Sequence, residues 1–480
     1  MSRLDLTPLF EPKGVVVAGA SSHPGKFGFV ALHNIVAGGY RGRVFATNRD
    51  EPEILGVQST ASIESVPDGQ ADLVMVCAPG PAIPTVLRES AAKGIRAAFV
   101  VTGGFGELGD EGRANEAELV DLAADLGIVL AGPNGQGLVS TPIDLCCQIV
   151  APNPPRGSIG VASQSGNLVS TVLNLSRQAN IGISRAVSAG NQAMVGIADY
   201  IDYLSTDRET SVIIAYVEGV PDGRQFYEAV RAAASTKPVI VVKGGATAEG
   251  AEAASSHTGS LATNDRVFDG MLRQAGAIRR GGMDEAFHLA SGLAAMPAPA
   301  GPRTVVLTTA GGWGVLTTDA LAHSSLELIA LPPTVEAAID ELVPPRWSRQ
   351  NPVDLAGGET RDTIPDALEA IANDGGVDAI IYLGLGIQGN TARAYRESPF
   401  AAIEGVDRMA SFHERQEARY ADAAVAASRV SDKPIAVASE LAVADPSNPG
   451  IARLRDHSWP CFGSPREAVA VLDAMWRFNR

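Results

Sequence analysis

The chain has 480 residues, of which 45% are hydrophobic and 19% charged, and its formal net charge is −16. A chain of this length divides into about three domains of ~150 residues, because single cores stop growing near ~250–300 residues. The acidic balance excludes the basic face of a nucleic-acid binder but not a site for an anionic small ligand, since backbone N–H groups bind phosphate without any lysine.

No stretch approaches the ~20 apolar residues that cross a bilayer, and the opening ten residues lack the apolar core of a signal peptide. The four cysteines, Cys77, Cys146, Cys147 and Cys461, show no metal-ligand spacing. They read as reduced thiols, so a cytoplasmic protein without a protein-bound metal is expected. The 51 glycines and 30 prolines are scattered between apolar runs and read as tight turns.

In the first third, short apolar runs fall at 14–20, 44–47, 73–78, 97–101 and 128–131. Most are continuous rather than alternating, as in strands buried on both faces of a parallel sheet. Amphipathic stretches at 83–93 and 115–126 lie between them and give a βαβ rhythm. A Pro-rich joint at 151–155 separates a second series, at 159–163, 184–187, 211–217 and 239–243. A second joint at 296–300 precedes a third, at 304–309, 328–330, 379–385 and 434–439. The spacing predicts an inserted loop over 387–410 and a long charged, solvent-facing helix over 412–429. The fold class is therefore α/β, with three consecutive doubly wound parallel-sheet modules over 1–150, 156–296 and 301–480.

Candidate ligand loops sit where strands end. Gly19-Ala20-Ser21-Ser22 with Gly25, Lys26 and Gly28 follows the first strand and opens a helix, whose free N–H groups suit an anion. The spacing is neither G-x-G-x-x-G nor a P-loop, so a plain turn and a nucleotide-phosphate site both fit. Asn48, Ala78 with Pro79, and Asn134 lie at three further strand ends, where open sheets hold ligands, although an asparagine there also caps turns. Ser163-Gln164-Ser165-Gly166 and Gly311-Gly312 each lead from a strand into a helix, either as N-caps or as phosphate cradles.

Among seven histidines, His257 is set apart by its neighbours Ser255, Ser256, Thr258, Gly259 and Ser260. Neutral imidazole is a good nucleophile near neutral pH, and a loop of small residues leaves it reachable. Glu218, at the end of a buried strand, is the candidate acid to orient it, with a structural ion pair as the plainer role.

In this order the motifs resemble those of the NDP-forming acyl-CoA synthetases, relatives of succinyl-CoA synthetase. The likeness runs from Gly19–Gly28 through Gly132-Pro133-Asn134, Ser163–Gly166, Glu218-Gly219 and Ser256-His257-Thr258-Gly259 to Gly311-Gly312 and Asn351-Pro352-Val353-Asp354-Leu355. It implies a Rossmann-like CoA-binding domain followed by two flavodoxin-like domains. It also implies that His257 is phosphorylated, that Glu218 steadies it, and that the helix starts at Ser163–Gly166 and Gly311–Gly312 cradle the phosphoryl group. Gly19, Ser21, Ser22, Gly25, Lys26, Gly28, Asn48, Ala78, Pro79 and Asn134 are then the CoA-binding set.

The nucleotide site, with ATP or ADP and Mg, is implied to lie on a separate ATP-grasp subunit in a hetero- or homo-oligomer, and a segment around 243–259 is implied to swing between sites. Gly135 and Trp313 depart from the family pattern, Trp313 at a place that bears on the acyl pocket. A CoA-binding regulatory protein and an NAD-linked oxidoreductase are the competing readings, with Asp50 and Glu51 near the second strand's end for the latter.

Overall fold

The computed structural model describes residues 4–150, 152–247, 249–250, 252, 264–357 and 361–479. His257 and most of its loop lie outside the described residues. The chain divides into two compact units, one holding 1–178 with 182–290 and the other 179–181 with 291–480.

The first unit carries two seven-stranded sheets. The first is built from β1 (Gly14–Ala18), β2 (Arg43–Thr47), β3 (Glu53–Ile54), β4 (Val57–Thr60), β5 (Leu73–Val76), β6 (Ala97–Val100) and β7 (Val129–Ala131). Its order is β3-β4-β2-β1-β5-β6-β7, parallel except for the β3–β4 hairpin. Strands β1, β5 and β6 are buried along their whole length, which is why their sequences run apolar without alternation.

The second sheet holds β8 (Gly137–Ser140), β9 (Leu145–Gln148), β10 (Arg156–Ser163), β11 (Ile183–Ser188), β12 (Val212–Val217), β13 (Val239–Lys243) and β14 (Ile278–Arg280). Its order is β14-β13-β12-β10-β11-β8-β9. Strands β8 and β9 stand ahead of the Pro-rich joint, yet β8 pairs antiparallel with β11 and β9 with β8. The second sheet thus begins at Gly137, before the joint.

Arg185 on β11 is 1% exposed. It reaches Asp207 at 3.3 Å, Glu11 at 2.8 Å and the Phe10 carbonyl at 3.1 Å, and also donates to the Ser140 hydroxyl. Every donor direction of its guanidinium is used, as burying a cation requires.

Among the described residues the second unit has one sheet, all parallel: β15 (Arg303–Thr308), β16 (Glu327–Leu328), β17 (Val353–Asp354), β18 (Ala379–Leu383), β19 (Ile435–Ala438) and β20 (Cys461–Phe462). Two expectations fail here. The stretch read as a loop over 387–410 is largely helical, with helices Ile387–Glu397 and Glu404–Ser431. Its Gly, Asn and Thr residues are weak helix formers, but the fully buried Glu417 carboxylate accepts the N–H groups of Gly386 and Gly389 and caps the first helix from outside.

The long helix is also not solvent-facing. Ala410, Glu417, Tyr420, Ala421, Ala424, Val425 and Ser428 form a buried stripe, packed on helices Ile387–Glu397 and Pro449–Asp456. Charges on its other faces masked that stripe in the sequence.

Candidate functional site

Each sheet reverses its winding beside a central strand. In the first unit these points lie between β1 and β5 and between β10 and β12; in the second the point lies between β15 and β18. Ligands of open α/β sheets bind beyond the carboxyl ends of strands at such points, and the loops singled out in the sequence stand at all three.

At the first point a cavity of about 1090 Å³ opens, lined by Gly19, Ser21, Gly25, Lys26, Gly28, Asn48, Ala78 and Pro79. Gly19 has φ +84°, and a Cβ on Gly28 would stand 2.0 Å from the Gly19 carbonyl oxygen. Both glycines are therefore needed to set helix Phe27–Ala37 directly on the turn. Asn48 caps as well as lines: its Nδ2 donates to the Ala20 carbonyl at 2.8 Å, and its Oδ1 accepts from Asp50 N at 2.8 Å. Ser22 donates its backbone N–H to Glu51 at 3.0 Å and is not among the residues that line the cavity. Asn134 lies elsewhere.

At the second point a cavity of about 530 Å³ brings together Asn134, Gln164, Ser165, Gly166 and Glu218. The Ser163 hydroxyl accepts from Ser165 N at 3.1 Å and donates to Ser165 O at 2.7 Å, closing the turn into helix Gly166–Ala179. The first turn of that helix offers unpaired N–H groups and a positive dipole end.

Gln164 fastens the turn to the neighbouring strand end. Its Oε1 accepts from Glu218 N and from Gly219 N (3.1 Å), and its Nε2 donates to Gly219 O at 2.7 Å. Tyr216 donates its hydroxyl to Glu218 Oε1 at 3.2 Å. Burial, then the Glu218 charge, holds that phenol above its ordinary value, so it stays a donor. Lys243, with its ammonium held below its usual value by burial, donates to the Glu218 carbonyl at 2.8 Å.

Glu107, Glu116, Gln136, Asn191 and Gln192 also line this cavity and were not singled out in the sequence. Asn191 follows β11, so the strand-end reasoning applied to Asn48 and Asn134 would have found it. Burial raises the Glu107 carboxyl, but hydrogen bonds from the Asn191 side chain and from backbone N–H groups outweigh it and leave it below the usual carboxylate range.

At the third point, in the other unit, the Thr308 hydroxyl accepts from Ala310 N at 3.1 Å and donates to Ala310 O at 2.9 Å. Helix Gly311–Leu321 starts there, with Gly311 and Gly312 exposed. A Cβ on Gly311 would come within 2.8 Å of Asp354 Oδ2, so a carboxylate stands beside this helix start.

Three family models match in series: a CoA binding domain over 13–140, a succinyl-CoA ligase like flavodoxin domain over 156–293 and a ligase-CoA domain over 304–392. The chain is 37% identical over 358 residues to the alpha subunit of ADP-forming acetate–CoA ligase I of Pyrococcus furiosus, covering 74% of this chain and 77% of that one. The chain belongs to the ADP-forming acyl-CoA synthetases.

Another relative in this synthetase family, ADP-forming acetate–CoA ligase I of Archaeoglobus fulgidus, is 35% identical over 78% of this chain but only 54% of its own length. The dinucleotide forming acetyl-coenzyme A synthetase 1 of Ca. Korarchaeum cryptofilum, solved with phosphate and ADP, has a TM-score of 0.86 at 29% identity, covering 99% of this chain and 97% of that one. Among the synthetase domains, the CoA binding domain coincides with the sheet whose switch point opens the larger cavity.

Proposed function

We propose that this chain is the CoA-binding, phosphoryl-carrying subunit of an ADP-forming acyl-CoA synthetase, catalysing acid + CoA + ATP ⇌ acyl-CoA + ADP + phosphate. The observation that carries this reading is the smaller cavity, where a helix start, Glu218 and Asn134 face one space at a switch point. His257, in the same sheet's connection between β13 and β14, is the phosphoryl carrier.

One ring nitrogen of His257 attacks the terminal phosphorus of ATP and ADP leaves. A carboxylate oxygen of the acid then takes the phosphoryl group, freeing the imidazole. Finally the CoA sulfur bonds to the acyl carbon, the C–O bond breaks and phosphate leaves. Glu218 orients the imidazole and steadies its charge. The Gln164–Gly166 helix start, and Gly311–Gly312 at the other, stabilise charge on the phosphoryl oxygens.

CoA lies with its pyrophosphate on the Gly19–Gly28 loop, where the open helix start and glycine-lined cavity suit it. A CoA-binding domain, a phosphohistidine domain and a third flavodoxin-like domain form the working division, near 1–150, 156–296 and 301–480 in sequence, with the β8–β9 hairpin paired to the second. The nucleotide, with Mg, sits on a separate ATP-grasp subunit, and the part of the Archaeoglobus relative that this chain does not cover leaves room for such a module. No described helix is long and apolar enough to cross a membrane, and free thiols at all four cysteines suit the cytoplasm. A protein that only sensed CoA would need neither Glu218 nor His257.

The test is transfer of label. With γ-labelled ATP and the ATP-grasp subunit, acid-labile label is expected on this chain and none on His257→Ala. Label that survives that substitution would overturn the assignment.

A further inference from the structure

The loop after β11 spends its polar groups on the preceding module. Asn191 Nδ2 donates to Glu107 Oε2 at 2.6 Å and to Glu116 Oε2 at 2.7 Å, while its Oδ1 accepts from Asn134 Nδ2 at 3.3 Å. Its backbone N donates to Pro133 O at 2.9 Å, and Ala193 N donates to Gly132 O at 3.1 Å. Gly190, at φ +60°, permits the approach, since a Cβ there would stand 2.2 Å from Pro133 O. The two carboxylates are pinned in turn: Glu107 by N–H groups of Gly104 and Phe105, Glu116 by that of Gly106. Two carboxylates sharing one amide repel each other, and the two N–H bonds from Asn191 offset that repulsion.

The chemistry sets where the two ends of CoA go. The sulfur must reach the acyl carbon of the acyl phosphate, which is held where the phosphoryl group is held. Asn134 lines that smaller cavity, whereas the other lining members of its set line the larger one. Asn134 therefore meets the thiol end of CoA and not its nucleotide end.

We infer that Asn191 is a positioning residue for that thiol end. It fixes Asn134 by its side-chain oxygen and fixes the Gly132–Asn134 turn by its backbone. Glu107 and Glu116 hold the amide so that its oxygen can only face Asn134. The inference rests on the CoA-binding reading above.

The experiment titrates the full chain calorimetrically with CoA and, separately, with 3′-phospho-ADP, which lacks the pantetheine arm. Asn191→Asp keeps the side-chain size but replaces the bridging donor with a third negative oxygen. CoA affinity is expected to fall ~10-fold or more, as for loss of hydrogen bonds to charged groups. Affinity for 3′-phospho-ADP should stay within about twofold. Asn191→Ala, which keeps the backbone bond to Pro133, gives the same split if the Asp variant does not fold. An equal loss for both ligands, or a loss for neither, overturns the inference. If the unsubstituted chain binds neither ligand, the CoA-binding reading itself fails, and this inference with it.

Discussion

The turns at Ser163–Gly166 and Thr308–Gly311 are built alike. In each, a hydroxyl on the last strand residue both accepts from and donates to the backbone two residues on, and a helix starts at the next residue. They differ in what the intervening residue and the neighbouring strand supply. Gln164 ties its turn to Glu218 and Gly219, so a carboxylate faces the cavity. Thr309 occupies the corresponding place with a buried hydroxyl that has no hydrogen-bond partner among the described residues. Beside it Asp354, at the end of β17, stands close to Gly311, and a second acid, Glu417 of the long helix, is turned inward to cap helix Ile387–Glu397. The same local turn thus stands in two different polar settings, and the turn sequence does not say which.

Substitutions at the matched positions would break or sharpen this contrast. The largest effect is expected at Glu218→Gln: phosphoryl label from γ-labelled ATP should form at least ~10²-fold more slowly, the scale of a positioned acid or base. Glu417→Gln should leave that rate near the parent value. Next is Gln164→Ala, which strips the acceptor from two backbone N–H groups. A cost of ~1–3 kcal/mol in denaturant unfolding is expected, together with slower labelling because Glu218 is no longer held.

A smaller effect separates the acids by pH. Burial raises the Glu417 carboxyl above its ordinary value, the backbone hydrogen bonds notwithstanding. The folded second unit therefore holds a proton that the unfolded chain releases, and its stability falls as pH rises from the ordinary glutamate range through the raised one. Thermal melts of Glu417→Gln and the parent should converge or cross in the variant's favour as pH rises. A gap that widens against the variant would show that Glu417 acts as a charged cap throughout.

The smallest effect is at Thr309→Val. Removing a buried, unpartnered hydroxyl at nearly constant volume should be neutral or stabilising by up to ~1 kcal/mol. A clear loss would mean the hydroxyl has a partner in solution.

The reach of the sequence follows the same division. Strands β1, β5, β6, β10, β12, β13, β15, β18 and β19 were legible because burial on both faces makes them continuous apolar runs. The two-residue strands β17 and β20, and the hairpin strands β8 and β9, were not, since pairing partners define them and composition does not. Helix Ile387–Glu397 was missed because Glu417, distant in sequence, caps it. For the site, glycine turns and strand-end residues showed where ligands could sit. That Ser22 lies outside the cavity lining, that Asn134 belongs with Gln164 and Glu218, and that Asn191, Glu107 and Glu116 complete that wall depend on which loops of one unit meet.

The β8–β9 hairpin bears on how this chain could be divided or recombined. A scission at the Pro-rich joint, the place composition advertises, would carry the hairpin off with the wrong fragment. One piece would then keep a two-stranded hairpin with no sheet to join, and the other would present the bare rim of β11, both invitations to aggregate. Exchange of the CoA-binding module between relatives should instead succeed only across a seam just before Gly137, so that grafted and host segments each keep a closed ladder.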